Sequence, residues 1–420
     1  MRSALRSLVA LGALIQVLGC SPGPAVLTFS GSSVGREGDV ITRQLERFAR
    51  VHPEITVELR PTPDAADQRH QLFVQWLNAR APDPDVLQLD VVWTPEFAAA
   101  RWIADLNRFH PPTDSFFATA IAANRWSGAL YSLPWFIDVG MLYRRTDLVP
   151  RAPEDLQTLV RLAKDAQRAH GVPFGFVWQG ARYEGLVTVF LEHLGAFGGA
   201  ILDDAGRVVV DSAAAERALG FMRDTIYADA IVPPAVLTWQ EEQTRLAFES
   251  GQAVFMRNWP YAYTLLDDTS QSRVTGRFAV TSMPPAQGGM ATAALGGSAL
   301  AINAFSEQPD AAYALIDYLL RPEQMLERAR IAGQYPTRPA LYESAALADA
   351  LTIPVDQALE VIQRATPRPI TPVYSQLSDI LQISIHRVLT RQQEPGPALR
   401  EAAAAMRALL ARAGLAARTS

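Results

Sequence analysis

Tyr131-Ser-Leu-Pro-Trp-Phe-Ile-Asp138-Val-Gly-Met-Leu-Tyr143 is a nearly unbroken apolar run with a single acid, Asp138, past its middle. A run of this kind reads as a buried strand. An ionised carboxylate left unpaired in such a place costs on the order of 3 to 5 kcal/mol. Its position beside Pro134, Trp135, Phe136 and Gly140 therefore predicts that a polar group from elsewhere meets it.

On the N-terminal side, strand and helix patterns alternate. Val26-Leu-Thr-Phe29 reads as a strand, and residues 39–51 place Val40 or Ile41, Leu45 and Phe48 on one helical face before His52-Pro53. Ile55-Thr-Val-Glu-Leu59 alternates as a strand, residues 67–80 read as a helix with Leu72, Trp76 and Leu77 inward, and Val86-Leu-Gln-Leu-Asp90 is again a strand. That order predicts an α/β fold with mostly parallel sheets flanked by helices. Beyond the opening run come helices at residues 154–170, 184–194, 213–227 and 241–249, with strands at 174–178, 208–210 and 253–256. Residues 277–302 are rich in Pro and Gly and read as a linking region between short strands. Helices at 309–320, 322–332, 377–389 and 398–410 close the chain.

The first twenty residues carry Arg2 and Arg6, an apolar run from Leu8 to Leu18, then Val17-Leu-Gly-Cys20. The run is too short to span a bilayer and reads as a signal peptide over residues 1–19. Cys20, the only cysteine, resembles the lipidated residue of a bacterial lipobox, with residues 20–25 as its tether. The expectation is an exported protein held in the cell envelope by lipid, with neither disulfides nor thiolate chemistry in its mature domain. At 420 residues the chain exceeds the roughly 250 to 300 at which single cores stop growing, so two lobes are expected.

Composition narrows the chemistry. Net charge is −5, and −7 once Arg2 and Arg6 leave with the leader; Lys164 is the lone lysine and there is no basic run, so no nucleic-acid partner is expected. The six histidines, His52, His70, His110, His170, His193 and His386, have no H-x-x-x-H spacing, so no metal is expected, and no glycine motif points to a nucleotide or other cofactor. Gly31-Ser-Ser33-Val-Gly35 matches G-x-S-x-G between a strand and a helix, which keeps a serine hydrolase in view, although no histidine lies in an evident loop.

Carboxylates are the stronger candidates. Glu37, Asp90 and Asp138 each stand at a strand or loop end in apolar surroundings, where they suit either a glycosidase pair or a sugar-binding site. As bland alternatives, Asp90 would cap the next helix and Glu37 would complement a helix dipole. Trp135, Phe136, Trp178, Trp239 and Trp259 fall near strand ends or in loops, where an indole can meet the C–H face of a sugar.

A pattern then emerges across nearly the whole chain. Leu89-Asp90-Val-Val-Trp93, Tyr131-Ser-Leu-Pro-Trp-Phe-Ile-Asp138, Trp178-Gln-Gly-Ala-Arg-Tyr183, Phe255-Met-Arg-Asn-Trp259-Pro-Tyr, Leu295-Gly-Gly297, Tyr335-Pro-Thr-Arg338 and Arg368-Pro-Ile-Thr-Pro-Val-Tyr374 run in order. Together they resemble the extracellular solute-binding proteins of carbohydrate ABC transporters, closest to the trehalose/maltose-binding branch. The resemblance implies a two-lobed, hinged, periplasmic-binding-protein-like fold, with crossings near Val139, Ser282 and Leu326. Residues 26–138 and 282–325 would form one lobe, and 139–281 and 326–420 the other.

It further implies ligand contacts from Glu37, Asp90, Phe136 and Asp138, stacking by Trp259, backbone approach at Gly296 and Gly297, and donation to hydroxyls by Arg368. Trp178, Tyr183 and Ser298 are secondary candidates. Relatives near trehalose specificity tend to carry Tyr where this chain has Phe136, and Trp where it has Ser298. The expected function is a monomeric, non-enzymatic receptor that delivers an α-linked glucose disaccharide or glucoside to membrane permease subunits. A glycoside hydrolase using paired carboxylates in the same cleft and a receptor for a non-sugar solute are the alternatives.

Overall fold

The structure is a computed structural model that describes residues 25–415 apart from Gly288 and Thr352. The predicted leader and Cys20 lie outside the described residues. No helix among the described residues is long and apolar enough to cross a membrane.

The chain opens with β1 (Ala25–Gly31), α1 (Glu37–Val51), β2 (Ile55–Pro61), α2 (Ala66–Asn78), β3 (Val86–Asp90), α3 (Thr94–Ala99) and β4 (Ser132–Val139). On α1, Val40, Ile41, Leu45 and Phe48 face the core, as the spacing predicts. On α2 the buried stripe is Arg69, Phe73 and Leu77, at i, i+4 and i+8. Leu72 and Trp76 are only half-buried, so the predicted phase was off by part of a turn; Trp76 instead carries the Arg60 guanidinium 4.7 Å above its ring.

Next come β5 (Met141–Arg145), α4 (Leu156–His170), β6 (Phe174–Val177), α5 (Glu184–Ala196), α6 (Ala213–Tyr227), α7 (Glu241–Glu249), β7 (Ala253–Asn258), α8 (Tyr261–Leu266) and β8 (Phe278–Thr281). The expected strand at 208–210 is only an isolated bridge, Leu202 to Val208. The chain then forms β9 (Ala293–Ile302), α9 (Pro309–Leu319), α10 (Pro322–Ala332), β10 (Tyr335–Pro336), α11 (Val355–Gln363), β11 (Ala365–Thr366), α12 (Tyr374–Leu389) and α13 (Pro395–Arg412).

Two sheets organise these elements into two lobes. The first has strand order β10-β4-β9-β3-β1-β2 with β11 added beside β9; the second has order β8-β5-β7-β6. Neither is mostly parallel. β1 pairs in parallel with β2 and β3, β9 with β11, and β6 with β7, whereas β3–β9, β9–β4, β4–β10, β8–β5 and β5–β7 are antiparallel. The parallel rule holds where a helix links successive strands, but β9 arrives from the other lobe and enters the sheet centre in the opposite sense. Pro134 is accommodated inside β4 because the register shifts there: Ser298 faces Phe136 and Ala299 faces Pro134, leaving Trp135 in a bulge.

The chain changes sheet at Gly140, between β4 and β5, and returns between Thr281 and Ala293. The third crossing is not near Leu326. Met325 and Ala329 of α10 are buried with Leu45 and Phe48 in the first lobe's core, Gln44 Nε2 donates to Gln324 O at 2.9 Å, and β10 pairs with β4. An amphipathic stripe announces that a face is buried but not which core receives it. The second lobe regains the chain at α12, whose Leu377, Leu381 and Ile385 join the core of α5 and α6.

Candidate functional site

Between the lobes lies a narrow cleft with a cavity volume of about 130 Å³. The first lobe supplies the loop after β1, the first turns of α1 and α2, the carboxyl ends of β3 and β4, and the Gly296-Gly297-Ser298 stretch of β9. The second supplies the first turn of α5, the start of α7 and the Trp259–Tyr261 segment after β7. Strand ends and helix N-termini thus converge from both sides, as in open α/β sheets.

All three predicted acids line this cleft. Glu37, in the first turn of α1, accepts from Gln88 Nε2 at 3.3 Å, Gln334 Nε2 at 2.5 Å and Arg328 Nη2 at 3.4 Å, all on Oε1. Asp90 ends β3 and is held bidentately by Arg368, Nη2 to Oδ1 at 2.5 Å and Nη1 to Oδ2 at 3.2 Å, while Oδ1 also accepts the Val92 N–H at 3.2 Å. Asp138 differs from both. Its Oδ1 is sealed from solvent and has no hydrogen-bond partner among the described residues. Burial, then the nearby Glu37 charge, pushes its carboxyl up to about 8.

Opposite the acids stands an aromatic and acidic wall. Trp259 Nε1 donates to Glu241 Oε1 at 3.4 Å, and the Tyr183 hydroxyl donates to Glu241 Oε2 at 2.7 Å. Burial raises both the Glu241 carboxyl and the Tyr183 phenol. Phe136 lines the first lobe's side, two residues from Asp138 and so on the same strand face.

The glycine pair serves packing. Gly297 has φ +119°, and a Cβ there would lie 2.3 Å from the Phe136 carbonyl oxygen; one on Gly296 would lie 3.1 Å from the Trp259 ring. Gly296 is also the cross-strand partner of Asp138. Ser298 Oγ accepts from Gln88 Nε2 at 3.0 Å, and Gln88 Oε1 accepts the Ser32 N–H at 2.8 Å, so Gln88 organises the floor of the cleft.

Two placements differ from expectation. Trp178 does not line the cleft; it is 1% exposed in the second lobe's core, where β6 has just ended. Trp135 is likewise 1% exposed, beneath the Arg328 guanidinium at 3.7 Å. Arg368 does line the cleft, but both terminal nitrogens are taken: besides Asp90, its Nη1 donates to Glu184 Oε1 at 2.8 Å. Burial opposes its charge, yet Asp90 and Glu184 outweigh that and raise its pKa. Arg368 therefore ties the first lobe's β3 to the second lobe's α5.

Ser33 of the G-x-S-x-G match is exposed, and none of the hydrogen bonds of His52, His70, His193 or His386 reaches it. Among the described residues no group of three His, Cys, Asp or Glu is arranged to hold a metal ion. Sequence reasoning missed Arg69, Gln88, Glu184, Glu241, Tyr261 and Gln334, all of which line the cleft. Glu184 and Glu241 are the first residues of α5 and α7. In sequence such acids look like ordinary complements to a helix dipole.

A cleft between two crossing-linked lobes, walled by acids and an indole, defines a solute receptor. The chain belongs to the bacterial extracellular solute-binding protein family, whose profile matches residues 32–326. It is 34% identical over 406 residues to a probable ABC transporter-binding protein of Deinococcus radiodurans, covering 93% of this chain and 95% of that one. Among solved structures, maltose-bound T. maritima MalE3 is similar at TM-score 0.88 and 41% identity, covering 92% of this chain and 100% of that chain. The GacH receptor of Streptomyces glaucescens shares the fold at TM-score 0.83 and 23% identity, over 92% and 98% of the two chains.

Proposed function

We propose that this protein is an exported, lipid-anchored receptor that binds an α-linked glucose disaccharide or glucoside between its lobes and presents it to the permease of an ABC transporter. The observation that carries the reading is Asp138: a cleft-lining carboxylate with one oxygen sealed from solvent and unpartnered. The rest of the carboxyl is reachable from the cleft, where a sugar hydroxyl can donate to it and stabilise the group. Trp259 across the cleft offers the apolar face that a pyranose ring needs, and Glu37 and Asp90 offer further acceptors.

The 41% identity to a maltose-bound protein supports the α-glucoside class. Phe136 and Ser298, where the trehalose-type relatives tend to carry Tyr and Trp, favour a roomier end to the site. The test is a thermal-shift and tryptophan-fluorescence screen of mono-, di- and oligosaccharides. Stabilisation and a fluorescence change with α-glucosides are expected; a response to no sugar would contradict the proposal.

A further inference from the structure

Glu192 lies eight residues beyond Glu184 on α5, and Glu184, Thr188 and Glu192 form one stripe of that helix. Its side chain and that of Arg257 are both 0% exposed. Arg257 Nε donates to the two Glu192 oxygens at 3.1 and 3.0 Å, Nη2 to Oε1 at 2.5 Å, and Nη1 to Gln179 Oε1 at 3.2 Å. A buried ion pair is a weak source of net stability, because desolvation offsets most of the attraction. Its place in the molecule gives it another role.

Both early crossings between lobes rest on this pair. The Ala294 N–H, at the start of β9, donates to Glu192 Oε1 at 3.2 Å, and Thr292 Oγ1 donates to the Glu192 backbone carbonyl at 2.7 Å. At the other crossing, a Cβ on Gly140 would lie 1.7 Å from Glu192 Oε1 and 2.5 Å from Arg257 Nη2, so the chain passes directly over the pair. Toward the cleft, the Arg257 guanidinium lies 4.0 Å from the Trp259 ring centroid. These two side chains are two residues apart along the strand direction and share a face. Met141 faces Asn258 in the β5–β7 ladder, so Gly140 and Trp259 stand at the next position beyond it.

We infer that the buried Glu192–Arg257 pair is the joint through which lobe closure sets the orientation of Trp259. Rotation of the lobes at Gly140 and Ala294 moves the carboxylate; the guanidinium follows through its paired bonds and carries the indole face stacked on it. Neither residue lines the cleft, so both are positioning residues. This inference rests on the reading of Trp259 as the wall against which the sugar stacks.

Glu192→Gln and Arg257→Met, made together so that no buried charge is left unpaired, test it with maltose as the probe. Calorimetry, tryptophan fluorescence and small-angle scattering are read beside the wild type. The double variant is expected to bind maltose at least ten-fold more weakly and to show a changed ligand-free scattering radius. Arg257→Lys keeps the charge but not the plane, so it should keep the lobe spacing and lose most of the fluorescence change. A double variant that binds and closes as the wild type does overturns the inference.

If the double variant does not fold, hydrogen exchange on the wild type decides. The Ala294 amide and the Trp259 indole N–H must change protection together over one maltose titration, and a response from Trp259 alone overturns the joint. A wild type silent to maltose and other glucosides counts against the ligand reading instead. The ligand-free scattering comparison then decides the joint by itself, an unchanged radius in the double variant overturning it.

Discussion

Phe136 and Ser298 stand opposite each other across β4 and β9, the register pair next to the bulge at Trp135, and both line the cleft. The two positions proposed to set sugar specificity are thus one structural site. Phe136→Tyr places a hydroxyl beside Ser298 and should re-rank related disaccharides. The ratio of trehalose to maltose affinity is expected to shift by about 2- to 12-fold, the worth of one hydrogen bond at roughly 0.5 to 1.5 kcal/mol. Paired calorimetric titrations measure it, and an unchanged ratio would remove Phe136 from the specificity site.

Asp138 makes stability depend on pH in a definite direction. Its folded pKa, about 8, lies above the ordinary carboxylate value, so between roughly pH 4 and 8 the folded state holds the extra proton. Stability from this group is therefore lost as pH rises through that window. Asp138→Asn, which cannot ionise, should leave melting near pH 4 almost unchanged and raise it at pH 8.5. Discounted for the residue's partial exposure, the gain is on the order of 1 to 3 kcal/mol. Denaturation of both proteins at the two pH values checks the sign.

Arg368 is predicted to act on the lobes before it acts on any ligand. Arg368→Met leaves Asp90 and Glu184 facing each other without their shared cation, and a buried pair broken on one side typically costs about 3 to 5 kcal/mol. Ligand-free scattering should show wider lobe separation in this variant. A full-length melting curve and scattering profile like those of the wild type would show that the bridge does not hold the lobes.

Trp178 separates core from site. Trp178→Leu should lower stability by roughly 2 to 4 kcal/mol, as for other large-to-small core changes, while leaving sugar affinity within about two-fold of the wild type. Urea unfolding and calorimetry on the same preparation test both halves.

The parts of the site legible in sequence are those where a residue contradicts its surroundings. Asp138 inside an apolar strand and Asp90 at the end of another are conspicuous for that reason, and both line the cleft. Glu184 and Glu241 contradict nothing, because an acid in a first helical turn is expected everywhere. Gln88 hides between Leu87 and Leu89, and its role follows only from the approach of β9. β9 itself, Ala-Ala-Leu-Gly-Gly-Ser-Ala-Leu-Ala-Ile, reads as a linker since Ile302 is its one β-branched residue and it has no aromatic, yet it is the ten-residue centre of the first sheet. Its glycines are required by the nearness of Trp259 and the Phe136 carbonyl, a fact of tertiary contact and not of local propensity. The same limit applies to α10, whose stripe is plain and whose lobe is not.

Titration of maltose into the wild type and into Asp138→Asn at pH 9, where the Asp138 carboxyl is ionised, tests the central claim most directly. The account predicts saturable one-site heats for the wild type, and weakening in the variant by about 10- to 150-fold, the worth of roughly 1.5 to 3 kcal/mol for a hydrogen bond to a charged group. Equal affinity in the two proteins, with wild-type binding intact, would contradict it.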